Sequence, residues 1–159
     1  MDVARFTVLL TDTQDIKVLE HSPTEEIFDA ARDAIGCDWI ELVEPESLTN
    51  DGYLMLIDEE GKLKDGPLSI NCIASDLYGS DRHGDPIIGS AVIVKTDGEN
   101  LFLLQKEEAQ LLATKLLVNR RDSIDKMAKA FGVRPTPQHG SDIPDLTRRQ
   151  SCKKSGVER

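Results

Sequence analysis

The sequence predicts an α+β fold: a mixed or antiparallel sheet of about six strands, two to four helices and a disordered C-terminal tail. Three observations carry this expectation. Ala4, Phe6, Val8 and Leu10 alternate with Arg5, Thr7 and Thr11, the period of a half-buried strand. Ile27, Ala30, Ala31, Ala34 and Ile35 recur at helical spacing. Tyr53–Ile57 and Ile87–Lys95 are compact apolar runs bounded by Asp, Glu and Gly, as buried strands are.

In chain order, Leu9 is the one exception to the first alternation. Thr11–Asp15 is turn-rich and Ile16–Glu20 alternates again, which predicts a hairpin. Ser22-Pro23-Thr24-Glu25 reads as a helix start, with Ser22 as cap, Pro23 first in the helix and Glu25 closing a capping box. Gly36 stands where a left-handed cap would end that helix. Trp39–Val43 is a short strand candidate, and Ile70–Leu77 reads as a short helix ending at Gly79. Ser80–Pro86 reads as a polar loop, and Thr96–Asn100 reverses the chain into Leu101–Leu104. A helix is expected from Lys106, with Glu107 and Glu108 in its first turn and Arg120 and Arg121 just past its end. Its buried stripe would be Ala109, Leu112, Ala113, Leu116 and Leu117. A second short helix would be capped by Ser123, bury Ile124, Met127, Ala128 and Phe131, and stop at Gly132.

The length, 159 residues, suits one domain with a tail. The net charge of −10 is unevenly divided: residues 1–118 carry −15 and residues 119–159 carry +5. The expected organisation is therefore an acidic α+β domain over 1–118, a short C-terminal helix over 119–132 and a disordered basic tail over 133–159. In the tail three prolines and few large apolar residues leave little burial to offset ordering entropy. No apolar run approaches the roughly 20 residues that span a bilayer. Met1–Phe6 has no basic region followed by an apolar core, so a cytoplasmic location is expected. Cys37, Cys72 and Cys152 are odd in number and widely spaced, which argues for reduced thiols rather than a disulfide framework or zinc site.

Several short motifs occur in a recognisable order. They are Ile35-Gly36-Cys37-Asp38-Trp39-Ile40-Glu41-Leu42-Val43, then Leu56-Ile57-Asp58-Glu59-Glu60-Gly61-Lys62-Leu63, then Asn71, Ala74 and Ile88-Gly89-Ser90-Ala91-Val92-Ile93-Val94. Over about residues 4–105 the chain resembles the family called domain of unknown function 3846, small bacterial and bacteriophage proteins. The resemblance implies a shared fold and brings no catalytic residues. Leu68-Ser69-Ile70 between Pro67 and Asn71, and the helical and basic extension after residue 105, depart from the family pattern.

Each candidate residue also has a structural role open to it. Asn71, between Pro67 and an apolar helix, would either cap that helix or read a ligand's polar edge. Trp39 would either anchor a ligand or complete the core. Asp58-Glu59-Glu60-Gly61-Lys62 offers oxygen ligands for a hard cation but lacks EF-hand spacing, and Gly61 fits the left-handed position of a hairpin turn. Asp76, Asp81, His83 and Asp85 flank one loop and are expected to be solvated, while His21 and His139 stand isolated. Ala128 and Gly132 have helix-turn-helix spacing, but Pro135, Pro137 and Gly140 forbid the recognition helix. Arg148, Arg149, Lys153 and Lys154 are the candidate nucleic-acid contacts. No catalytic triad, phosphate loop or dinucleotide fingerprint is present in the sequence. The expectation is thus a non-enzymatic accessory protein of phage or mobile-element type. It would need no cofactor or metal, and would bind a host protein or small ligand. The alternative is a nucleic-acid-associated protein that uses its tail.

Overall fold

A computed structural model describes residues 3–63 and 69–132. The expectation of a disordered tail over 133–159 lies outside the described residues. Strands β1 (Arg5–Leu10), β2 (Ile16–His21), β3 (Ile40–Val43), β4 (Tyr53–Asp58), β5 (Ala91–Thr96) and β6 (Leu101–Phe102) form one sheet. Every pairing in it is antiparallel, in the order β2-β1-β5-β4-β3. β6 pairs with the end of β5, through Lys95–Phe102 and Thr96–Leu101, and Leu104 then exchanges backbone hydrogen bonds of 2.7 and 2.8 Å with Phe6. The helices are α1 (Ile27–Ile35), α2 (Glu46–Thr49), α3 (Cys72–Tyr78), α4 (Ser80–His83) and α5 (Lys106–Phe131). The α+β class and the antiparallel form of the sheet agree with the sequence.

The sheet is covered on both faces, which explains the unbroken apolar runs. One face sets Val8, Leu10, Met55, Ile57, Ala91 and Ile93 in a core with Ile73 and Ala74 of α3 and Ala109, Leu112 and Leu116 of α5. The other sets Leu9, Leu54, Leu56, Val92 and Val94 against Ala31 and neighbouring apolar residues of α1. Leu9, the exception to the alternation, is thereby buried. Among the described residues no helix is long and apolar enough to cross a membrane.

Several local expectations are corrected. Ser22 does not cap α1: Ser22–Glu25 forms a separate turn, and the cap is Glu26, whose carboxylate accepts from the Phe28 and Asp29 amides at 3.2 and 3.1 Å. Gly36 does end α1 in the left-handed region, at φ +79°. α2 was not anticipated, and part of the expected polar loop is the helical turn α4. The break expected near Arg120 is absent, and residues 106–131 form one helix. No Gly or Pro interrupts it before Gly132, which supplies the left-handed cap at φ +69°. Ser123 is therefore a buried mid-helix residue whose hydroxyl donates to Asp76 at 2.7 Å, and Leu117 is exposed. Gly61 is not in the left-handed region but opens a 3-10 turn, Gly61–Leu63. A Cβ there would lie 2.9 Å from the Ile88 carbonyl oxygen, so the glycine is needed for close approach.

Candidate functional site

Asn71 is completely buried. Its Oδ1 accepts from the Ala74 amide at 3.0 Å and caps α3, while its Nδ2 donates to the carbonyls of Leu10 and Gly89, both at 2.9 Å. The amide thus locks α3 to β1 and to the chain entering β5, and its polar atoms are used internally. A second amide does the same from the hairpin turn. Gln14, buried and at φ +71°, accepts from the Cys72 amide at 2.8 Å. It donates to the Asp12 and Ile70 carbonyls at 2.8 and 3.1 Å. Sequence reasoning missed Gln14, because nothing local marks a glutamine at positive φ where Gly or Asn is usual.

Trp39 lies at the surface, 61% exposed, beside the sheet-edge strand β3. It does not complete the core, as a tryptophan on a strand commonly would. Arg148, Arg149, Lys153 and Lys154 lie outside the described residues.

The acidic turn borders a cavity of about 90 Å³ lined by residues including Glu41, Asp58, Glu59, Lys62 and Asp85. That is well below the roughly 300 Å³ of small-molecule sites. Lys62 pairs with Asp85, and the Asp58 carboxylate accepts from the Glu60 amide at 2.9 Å. In the following segment Asp76 is held by Ser123 and by Lys126 at 2.8 Å, and His83 stacks edge-on against Tyr78. His21 is not isolated, since it bonds the Thr7 hydroxyl at 2.8 Å and approaches Glu25 at 3.5 Å. Among the described residues no three His, Cys, Asp or Glu side chains converge. Burial pushes the Cys72 thiol up to about 11, so it stays protonated near neutrality.

The larger concavity is an open groove of about 570 Å³ on the α1 face of the sheet. Ile27, Phe28, Leu42, Leu54 and Leu101 give it apolar walls, and Glu26, Glu44 and Glu99 line it with carboxylates. It exists because α1 is only nine residues long and leaves the ends of β3–β6 partly uncovered. Among the described residues Glu44 and Glu99 have no ion-pair partner, and the nearby Lys95 is drawn to Glu108 at 3.2 Å. Beside the groove, the Asn100 and Glu99 amides hold the Asp97 carboxyl below its usual range, at 2.8 and 2.9 Å. The turn therefore stays anionic. No sequence motif marks the groove, whose residues come from four separated stretches of chain.

Residues 6–117 match the family described as Domain of unknown function (DUF3846). The chain belongs to this family. The match takes in all of the sheet but Arg5 and nearly half of α5, so the family region extends past residue 105, where the sequence resemblance is expected to end. No curated protein and no solved structure matches the chain.

Proposed function

We propose that this DUF3846 protein is a non-catalytic cytoplasmic accessory protein of phage or mobile-element type, and that it binds a cationic, partly apolar segment of a host protein. The groove on the α1 face carries the reading: apolar walls bordered by Glu44 and Glu99, which have no ion-pair partner among the described residues, complement a segment that mixes Lys or Arg with Leu or Ile. Its openness suits a stretch of polypeptide better than an enclosed metabolite. An acidic body also speeds encounter with a basic partner and repels phosphate backbones. The bacterial and bacteriophage character of the proteins the chain resembles supports the biological setting.

Titrating the isotope-labelled full chain with a peptide of alternating Lys and Leu tests this. Amide shifts are expected at Ile27, Phe28, Leu42, Leu54 and Leu101, weakening as salt rises. Shifts spread over the acidic surface with no preference for the groove would contradict the reading.

A second reading rests on the +5 charge of residues 119–159, which favours phosphate contact by the C-terminal segment. It requires salt-dependent retention on duplex DNA that disappears when Arg148, Arg149, Lys153 and Lys154 are changed to Glu.

A further inference from the structure

We infer that the chain's own basic C-terminal segment, centred on Arg148-Arg149 and Lys153-Lys154, docks in cis in the groove bordered by Glu26, Glu44 and Glu99, and that a partner must displace it. This rests on reading the groove as the binding surface, and it names that surface's resident occupant.

Charge is the first support. The chain concentrates positive charge at its end and negative charge in its body, and none of the groove's three glutamates has a cation among the described residues, although the Glu26 carboxylate caps α1. Leu146 precedes the arginine pair by two residues, so an apolar side chain and the cations arrive together at a groove that offers both kinds of contact. Reach is the second support. Glu108, at the start of α5, bonds Tyr53 and Lys95 at the same ends of β4 and β5 that line the groove. The end of α5 is therefore about 36 Å away along the helix, on the sheet face opposite the groove. The 16 residues from Val133 to Arg148 extend to about 53 Å at most, which covers that length together with a passage of about 10 Å past the sheet. Tethering is the third: a linked segment faces its site at an effective concentration in the millimolar range, so weak contacts suffice. The groove of a second copy offers no such complement, because its borders carry the same negative charge.

Cys152 lies inside the segment and makes the proposal directly testable. A nitroxide on Cys152 of the full chain, with Cys37→Ser to keep labelling specific, should strip most of the intensity from the amides of Leu42, Thr96, Gly98 and Leu101. The loss should reverse at high salt and in the Glu44→Lys/Glu99→Lys variant. Broadening that is uniform, that falls elsewhere, or that appears in an unlabelled-tag mixture as an intermolecular effect overturns docking in cis. Lys–Leu peptide shifts at the groove in the absence of this broadening would leave the groove reading standing and remove only the tail.

Discussion

Asn71 and Gln14 show how two neutral amides replace a missing stretch of regular structure. Each supplies an acceptor to the first turn of α3 and donors to carbonyls of neighbouring segments. Asn71→Ala should cost about 3 kcal/mol, combining a lost cap with stranded carbonyls. Urea unfolding measures it, and a loss below about 1 kcal/mol would mean that water or backbone movement replaces the amide. Gly61→Val should cost about 1–3 kcal/mol, because its Cβ meets the Ile88 backbone and not a movable side chain. An unchanged melting curve would show that the Gly61–Leu63 turn moves away freely. Asn71 was legible because an asparagine before an apolar helical run has a known use. Gln14 was not, because its role depends on Ile70 and Cys72, more than fifty positions away in the chain.

At the scale of elements, the sequence was most informative where one side of a segment faces the core. β1, β2 and α1 follow their periodicities, β4 is marked instead by its apolar run, and Gly36 and Gly79 end helices where expected. Helix starts were less legible, since Glu26 displaces Ser22 by using a longer carboxylate to cap the same kind of amides. α5 was divided wrongly because basic residues at 120 and 121 and a serine at 123 imitate an end and a new cap. What decides continuity is tertiary: Leu112, Leu116, Ser123 and Met127 all face the body, against the sheet or α3. Asn119→Pro separates the alternatives. A continuous helix should lose about 3 kcal/mol or more, whereas a hinge between two helices would accept the proline with little loss. The groove was illegible for a different reason, because it is the space that a short α1 fails to cover.

Across the whole molecule, charge sets both the binding reading and the response to pH. Burial pushes Glu108 up, but hydrogen bonds from Tyr53, the Gln105 amide and Lys95 outweigh it and hold the carboxyl below its ordinary value of 4.5. Its stabilising contribution is therefore present above pH 4.5 and lost as pH falls through the lower folded value. Tyr53 is pushed up to about 12 by burial and by Glu108, so its contribution is complete below 10.0 and is lost as pH rises through about 12. Glu108→Gln should flatten the acid limb of the stability profile and leave the neutral region less stable. An acid limb unchanged by that substitution would assign acid sensitivity to other carboxylates. On the proposed function the same abundance of carboxylates would make the groove selective for cations, and this is the claim on which the functional account depends. The most direct measurement places a photo-crosslinking benzoylphenylalanine at Leu42, in the groove, or at Leu111, exposed on α5, in the full chain within its native cells. The account predicts a discrete crosslink at position 42, to a Lys- or Arg-rich segment of the partner or of this chain, and none at position 111. Crosslinks at 111 alone, or crosslinks at 42 to acidic segments, would contradict it.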